Sequence, residues 1–153
     1  MRIKEILVRK ATEKDTEGIV KVLESAKLEQ ETWKGNVKWA KKALQSSLSD
    51  KNYVVLLAEC NSSIDGFITC MFFPSFWEGG KQGMIIDLFV RHIGQNKGVG
   101  SKLLIAITEL AKVEGIAEMH VSTENINEKA RKLYERYGFT EQRLLLERHQ
   151  TTK

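Results

Sequence analysis

The sequence predicts an α/β (α+β) protein with a single mixed, mostly antiparallel central sheet and about four flanking helices. The prediction rests on the length of 153 residues, on consecutive strand-like segments in the first part of the chain, and on alternating strands and helices in the second. A chain of this length buries roughly 70% of the surface that it exposes when unfolded, which is enough for one core. Consecutive strands favour antiparallel pairing, whereas a strand, helix, strand order favours a parallel crossover. We therefore expect residues 1–153 to form one domain.

The first third of the chain predicts one strand and two helices. Residues 6–8 are apolar and strand-like, and the polar residues 12–15 are typical of a helix start. Two apolar sets then recur at helical spacing: Ile19, Val22, Leu23 and Ala26 in the first helix, and Val37, Ala40, Leu44 and Leu48 in the second. Trp39 lies on the stripe of the second helix and is expected in the core.

The middle of the chain predicts three strands. Apolar and β-branched runs at residues 53–59 and 64–73 flank Asn61-Ser62-Ser63, a pattern typical of an antiparallel hairpin. Pro74 closes the second run. A loop rich in glycine and aromatic residues then leads to a third strand over residues 84–90.

The last third alternates between helices and strands. A helical apolar pattern covers residues 99–113 and stops at Gly115, a short strand follows at residues 119–121, and a second helix runs from residue 127 to 137. Phe139 and the run Leu144-Leu145-Leu146 predict final strands.

Composition excludes several classes of protein. The longest apolar runs are far shorter than the roughly 18 residues of a membrane span, and charges occupy the start of the chain where a signal peptide would be apolar. We therefore expect a cytoplasmic protein without a membrane partner. The formal net charge of +4 could serve an anionic ligand, but it is too small to indicate nucleic acid.

The cysteines and histidines indicate neither a metal site nor a disulfide scaffold. Cys60 and Cys70 lack C-x-x-C spacing and are expected to be buried free thiols. His92, His120 and His149 are scattered along the chain and form no ligand motif. The sequence therefore predicts a protein without a bound metal.

Chemistry is concentrated in the turn over residues 95–100, Gln-Asn-Lys-Gly-Val-Gly, between a buried strand and a long helix. Glycines let an anion approach the backbone, and a helix start offers unpaired N–H groups and a partial positive charge. Lys97 and Lys102 could add charge to the same anion. The spacing fits neither a Walker loop nor a dinucleotide fingerprint, because Gly100-Ser101-Lys102 is out of order and position 103 is leucine. A plain strand-to-helix turn is the alternative.

Two motifs together resemble the acetyl-CoA-binding core of GCN5-related N-acetyltransferases. The first is Val90 followed by Gln95-x-x-Gly98-x-Gly100, and the second is Asn127-x-x-Ala130-x-x-x-Tyr134-x-x-x-Gly138-Phe139. With the early strand Val8-Arg9-Lys10-Ala11 and Asp15, the likeness covers nearly the whole chain. The resemblance implies the acyl-CoA N-acyltransferase fold and acetyl-CoA as cosubstrate.

The resemblance assigns the cosubstrate to three parts of the chain. The pyrophosphate would lie on the turn, and the pantetheine arm would pair with backbone groups of the preceding strand. One face of the last helix would border both. The residues implied are Gln95, Asn96, Lys97, Gly98, Val99, Gly100 and Ser101 in the turn, Leu88, Phe89 and Val90 in the strand, and Asn127, Ala130 and Tyr134 in the helix.

Two catalytic roles follow from the resemblance and from elementary acid–base chemistry. Tyr134 would protonate the leaving thiolate, because a phenol with a pKa of about 10 keeps its proton at neutral pH. An amine with a pKa of about 10.4 arrives as an ammonium ion and needs a proton acceptor. Asp87, the one charge in an apolar strand, is the candidate base or anchor. His120 and a water relay are the alternatives.

The expected partner is a small-molecule primary amine. Trp33 and Trp77 could line its site together with Asp87. Diamine acetyltransferases look particularly similar before the turn, although Ile86 stands where they have glutamate. A protein or peptide amine, or a non-catalytic module that binds acyl-CoA or an amine, are the alternatives. A homodimer is an expectation from the resemblance alone.

Overall fold

The computed structural model describes residues 5–29, 36–95 and 97–151. In this part of the chain, short 3-10 turns stand at Glu13–Asp15 and His92–Gly94. The strands are β1 (Ile6–Lys10), β2 (Tyr53–Cys60), β3 (Ser63–Ser75), β4 (Gly80–Val90) and β5 (Glu118–Val121), and the helices are α1 (Thr16–Glu29), α2 (Val37–Leu48), α3 (Val99–Val113) and α4 (Glu128–Arg136).

The described strands form one sheet in the order β1-β2-β3-β4-β5. The first three pairings are antiparallel, as short connections between consecutive strands favour. Helix α3 carries the chain from β4 to β5, and that pairing is parallel. The predicted fold, a mixed and mostly antiparallel sheet with four helices, is therefore confirmed.

Apolar side chains cover both faces of the sheet. On one face, α3 and α4 pack on a cluster that includes Ile68, Ile85, Leu103 and Tyr134. We call this the α3 face. On the other, α1 and α2 pack on a cluster that includes Val22, Leu44, Leu57, Phe67 and Phe89. We call this the α1 face. Alternating residues of β2 and β3 contribute to the two clusters in turn, which is why both strands read as continuous apolar runs.

The predicted hairpin forms at the expected place. Its two-residue turn has Asn61 at φ 51° and Ser62 at φ 61°. Two positive φ values in succession are typical of the type I′ turn, whose twist matches that of the strands it joins.

Pro74 does not close its strand, as the sequence analysis expected. It lies inside β3 and stands opposite Lys81 of β4. The pairing of β3 with β2 stops at Met71, opposite Tyr53, and the Phe72 amide still donates to the Asn52 carbonyl at 2.8 Å. From Phe73 onward, β3 has no paired strand on that side in the described chain. A proline is tolerated there because no neighbouring strand needs its missing N–H group.

The predicted final strands are also wrong. Residues 139–151 form no strand, and Leu144, Leu145 and Leu146 are 85%, 58% and 82% exposed. The apolar run is only three residues long and charged residues flank it on both sides, so it is too short to indicate a buried strand.

Two further expectations about burial fail. Trp39 is 61% exposed, because it lies beside the buried stripe of α2 and next to Lys42 rather than toward the sheet. Cys60 is only half-buried at the end of β2, whereas Cys70 is buried as expected. Burial raises the pKa of the Cys70 thiol to about 12, so this thiol stays protonated at neutral pH.

Candidate active site

A cleft opens between β4 and β5 because their pairing stops halfway along β4. The parallel ladder joins Gln82–Ile85 to Glu118–Val121, and β4 then continues to Val90 without a partner strand on that side in the described chain. The Arg91 amide bonds the Asp65 carbonyl, and the Phe89 carbonyl lies against Gly66 on β3. By alternation, the main-chain groups of Leu88 and Val90 face the cleft.

The predicted backbone set is therefore divided between the two edges of β4. Leu88 and Val90 present main-chain groups to the open side, whereas Phe89 uses its carbonyl toward β3 and packs its ring on Phe67 at a centroid distance of 5.6 Å. The Gln95 side-chain amide donates to the Val90 carbonyl at 3.4 Å. One cleft-facing carbonyl thus already has a donor from the turn.

The turn before α3 shapes an anion site at one end of the cleft. Gly98, the N-cap of α3, has φ 83°, a left-handed conformation that glycine adopts without strain. A side-chain carbon added there would meet nothing within 4 Å, so the space above the helix start is open. The first intrahelical bond runs from the Lys102 amide to the Gly98 carbonyl at 2.9 Å. The amides of Val99, Gly100 and Ser101 therefore have no acceptor within the helix.

Charge around this helix start is suited to a phosphate. Lys97 and Lys102 are exposed, and the first turn of α3 contains no acidic residue. The helix dipole adds roughly half a positive charge at the same end. These features fit a phosphate group, and the assignment of the acyl-CoA pyrophosphate to this turn stays a prediction.

Helix α4 begins beside this turn. Lys129 donates to the Gln95 side-chain oxygen at 3.2 Å. A side-chain carbon on Gly100 would lie 3.5 Å from Leu133 of α4 and 3.7 Å from Val90 of β4. The ends of β4, α3 and α4 thus meet at one place.

The α4 motif has the local geometry expected of it. Asn127 caps the helix, since its side-chain oxygen accepts from the Ala130 amide at 3.1 Å. Tyr134 is 8% exposed and packs edge to face on Phe139, with ring centroids 5.9 Å apart. Burial raises the pKa of Tyr134, which keeps its hydroxyl protonated at neutral pH.

Within the described chain, the Tyr134 hydroxyl makes no hydrogen bond to another residue. Every fully buried side-chain polar atom there has a hydrogen-bond partner, so the Tyr134 hydroxyl, which has none, is not fully buried and reaches solvent-accessible space. Tyr134 also lines an open groove of about 1310 Å³ between β5, α4 and residues 139–147. Its proton is thus available to a ligand.

A β-bulge sets the direction of Asp87. Thr69 stands opposite Asp87 while its neighbour Cys70 stands opposite Ile85, so β4 carries one extra residue, Ile86. In a regular strand Ile85 and Asp87 would share one face. The bulge places Ile85 in the α3-face cluster and Asp87 beside Thr69 on the other, the α1 face.

The Asp87 carboxylate is held by Thr69. The Thr69 hydroxyl donates to Asp87 Oδ2 at 2.7 Å and accepts from the Asp87 amide at 3.0 Å. Tyr53 of β2 packs in the α1-face cluster and stands opposite Met71, two residues from Thr69. Burial raises the pKa of Tyr53 and the negative charge of Asp87 adds to the rise, whereas the Thr69 hydroxyl opposes it. The sequence analysis missed Thr69 and Tyr53, because both residue types are ordinary in strands.

His120, the alternative base, stands opposite Met84 on β5. Its neighbours Met119 and Val121 pack in the α3-face cluster, so His120 points to the α1 face, as Asp87 does. Its Nε2 atom lies 3.9 Å from Glu118 Oε1.

The structure does not bring Trp77, one of the two predicted aromatic residues, to the cleft. Trp77 is 93% exposed in the turn between β3 and β4. The strand from Gly80 to Asp87 separates it from Asp87 by roughly 23 Å at 3.3 Å per residue. Trp33 and Asn96 lie outside the described residues.

Neither a metal centre nor a membrane span is found in the described residues. No three His, Cys, Asp or Glu side chains gather there in a way that could hold a metal ion. No helix among them is long and apolar enough to cross a membrane.

Comparison with known sequences matches most of the chain. The profile of the Acetyltransferase (GNAT) family matches residues 19–139. The uncharacterized N-acetyltransferase YhfO of Bacillus subtilis (strain 168) is 35% identical over 100 residues, which are 64% of this chain and 66% of that protein. The chain thus matches about two thirds of the length of that relative.

Comparison with solved structures supports the same fold. A transcriptional regulator from Bacillus halodurans C-125 aligns with a TM-score of 0.83 and 24% identity, over 95% of this chain and 99% of that one. An aminoglycoside acetyltransferase from an uncultured soil metagenomic sample, in complex with trehalose, aligns with a TM-score of 0.79 and 21% identity, over 97% of each chain. At these identities the likeness concerns the fold alone.

Proposed function

Because the chain belongs to the Acetyltransferase (GNAT) family, we propose that it transfers the acetyl group of acetyl-CoA to a primary amine of a small molecule. The family confirms the enzyme class expected from the sequence, an N-acetyltransferase. The observation that supports this function best is the free edge of β4, which runs directly to the open helix start of α3.

The residues present fit acetyl-CoA. The unpaired amides of Val99, Gly100 and Ser101 would bind the pyrophosphate, with Lys97 and Lys102 adding charge. Leu88 and Val90 would offer main-chain groups to the pantetheine arm, as a sheet edge does to an added strand. When bound, acetyl-CoA supplies an activated acetyl thioester.

Asp87 and Tyr134 divide the proton transfers of the proposed reaction. Asp87 accepts a proton from the ammonium form of the amine, which frees the nitrogen lone pair. As the nitrogen bonds to the acetyl carbon and the carbon–sulfur bond breaks, Tyr134 gives its proton to the leaving sulfur. The second proton that the nitrogen loses returns through solvent to Tyr134. One proton then remains on Asp87 and is released to water.

The nature of the amine is the finer part of the proposal. The aminoglycoside acetyltransferase with the same fold supports a small-molecule acceptor. A protein or peptide amine is the second candidate. Similarity to diamine acetyltransferases remains a prediction based on Asp87, and so does a role for Trp33 and Trp77 at the acceptor. A cytoplasmic location, a homodimer and the absence of nucleic-acid and metal partners also remain predictions from the sequence.

Two measurements test the proposed function. Titration with acetyl-CoA in a calorimeter should show binding, and an amine panel with thiol detection should show release of coenzyme A. A chain that binds acetyl-CoA but acetylates no amine would be a binding module instead. A chain that binds no acetyl-CoA would exclude both functions.

Replacement of Tyr134 tests the proposed acid. We expect Tyr134→Phe to lower kcat by about 10²-fold, within the usual range for general acid catalysis, with the Kd for acetyl-CoA near that of the wild type. Tyr137→Phe is the matched control, because Tyr137 ends the same helix and has no assigned role. Equal kcat values in the two variants would remove Tyr134 from the mechanism.

A further inference from the structure

The Thr69 hydroxyl donates its single proton to the Asp87 carboxylate. An ionised carboxylate only accepts hydrogen bonds, and a threonine hydroxyl has one proton to donate. Thr69 gives that proton to Asp87 Oδ2 at 2.7 Å and receives the Asp87 amide at 3.0 Å. Thr69 therefore has no second proton to donate to another acceptor.

This arrangement leaves one carboxylate oxygen free. No described residue donates to Asp87 Oδ1, whereas Oδ2 is bound to Thr69. Thr69 is 6% exposed, so its hydroxyl is shielded from competing water. Thr69 and Asp87 stand opposite each other on adjacent strands, β3 and β4, whose pairing fixes their relative positions.

We propose that Thr69 is a positioning residue, which holds Asp87 so that its Oδ1 atom alone faces the ammonium group of the acceptor on the α1 face. The proposal rests on the proposed function and deepens it, since it names the residue that orients the group assigned to receive the proton of the amine. Tyr134 belongs to the α3-face cluster. Acetyl-CoA and the amine would thus meet at the free edge of β4 from opposite faces of the sheet.

The bulge at Ile86 allows Asp87 to lie on the face of the sheet opposite to Tyr134. Without it, Asp87 would point to the α3 face, next to the groups assigned to acetyl-CoA. With it, the amide of Asp87 bonds a side-chain oxygen of Thr69 rather than only a main-chain carbonyl. Thr69 therefore binds both the backbone and the carboxylate of the same residue.

Thr69→Val tests the proposal. Valine has nearly the same shape and suits a strand, so the fold should be kept while the hydroxyl is lost. We expect kcat/KM for the amine to fall roughly tenfold or more, which is typical for loss of a hydrogen bond to a charged group. The KM for acetyl-CoA should not change, and Thr69→Ser should restore most of the activity.

Further variants separate positioning from a structural effect. Thr108→Val is the matched control, because the Thr108 hydroxyl bonds only carbonyls of its own helix, at 3.0 and 2.9 Å. In an Asp87→Ala background, Thr69→Val should have no additional effect on kcat/KM, since the group it positions is gone.

The outcomes distinguish this proposal from the function on which it rests. An active wild type whose folded Thr69→Val variant keeps its kcat/KM for the amine within twofold would overturn the positioning role and leave the proposed function intact. Equal losses from Thr69→Val in the wild-type and Asp87→Ala backgrounds would also overturn it. If Thr69→Val fails to fold, Thr69→Ala decides by the same comparison. A wild type without activity on any amine would overturn both proposals.

Discussion

Arg9 is the residue with the strongest ion pairs in the described chain. Its guanidinium makes two bonds of 2.8 Å to the Asp15 carboxylate and a third, of 3.1 Å, to Glu59. Thr12 adds a backbone and a hydroxyl donor to Asp15. The Arg9 guanidinium, together with the Thr12 donors, holds the pKa of Asp15 at about 2, below its ordinary value of 3.8, although burial opposes the shift. This network fastens the start of α1 to β1 and β2.

Asp15→Asn should lower the free energy of unfolding by about 2 kcal/mol at neutral pH and low salt, at 1.36 kcal/mol per pKa unit. High salt should reduce the loss, because the Arg9 side chain is 36% exposed and therefore screened. The folded-state pKa is depressed, so the stabilisation is complete above pH 4 to 5 and is lost as the pH falls toward 2. Urea unfolding at several pH values measures this dependence.

Glu17→Gln is the control for Asp15→Asn. Glu17 is also paired, with Lys41 at 3.5 Å, but its side chain is 78% exposed. Surface pairs of this kind contribute less than about 1 kcal/mol. Similar losses in the free energy of unfolding would show that the ion pair of Asp15 stabilises the fold no more than a surface pair does.

Residues within one short motif could be predicted from the sequence, and residues paired across strands could not. Asn127 caps α4 and Tyr134 is buried on it, as their spacing along one helix indicates. The partnership of Thr69 with Asp87 depends on strand register and on a bulge, which no local pattern encodes. The face of the sheet to which Asp87 points therefore could not be predicted from the sequence.

Among the structural elements, the hairpin turn between β2 and β3 has a residue in an unfavourable conformation. Ser62 has φ 61°, a region that costs an L-residue other than Asn or Asp roughly 1 kcal/mol and glycine almost nothing. Ser62→Gly should therefore raise the free energy of unfolding by about 0.5 kcal/mol, in line with the preference for Asn-Gly in type I′ turns. Chemical denaturation measures the change.

A glycine at the adjacent residue, Ser63, should have the opposite effect on stability. Ser63 begins β3 and pairs with Cys60. Glycine in a strand loses more backbone entropy on folding, so Ser63→Gly should destabilise the protein. Stabilisation by both substitutions would show that the turn conformation is not the cause.

Long apolar patterns were predicted well, and one short apolar run was not. The apolar pattern of α3 and its glycine-containing start agree with the helix observed over Val99–Val113. The apolar run at positions 144–146 is only three residues long, and it forms no strand. Pro74 misled the strand prediction because tolerance of proline depends on where the neighbouring strand ends.

For the whole molecule, the order of elements was sufficient to predict one mixed sheet. Consecutive hairpins dictate the antiparallel part, and the helical crossover dictates the parallel pair. The position at which β4 and β5 separate was not predictable, because it depends on how long each strand stays paired. The cleft itself is therefore a finding of the structure.

The short parallel ladder has a consequence for local stability. Strand β5 is four residues long and joins β4 through four paired positions, whereas β3 is paired with both β2 and β4 over its central residues 66–71. Elements with fewer backbone bonds open at lower free energy. We expect amide hydrogens of β5 to exchange with deuterium faster than those of the central residues of β3, as mass spectrometry can measure. Equal protection would contradict this expectation.

Strand β5, which forms one wall of the cleft, thus has the fewest paired positions among the described strands of the sheet. A ligand that touches β4, α3 and α4 at once would connect the antiparallel meander to the crossover unit. Such a ligand binds only while β5 is paired with β4, so its binding energy adds to the free energy that is needed to open β5 locally. Acetyl-CoA should therefore slow exchange in β5, and a pantetheine fragment that lacks the nucleotide should slow it less.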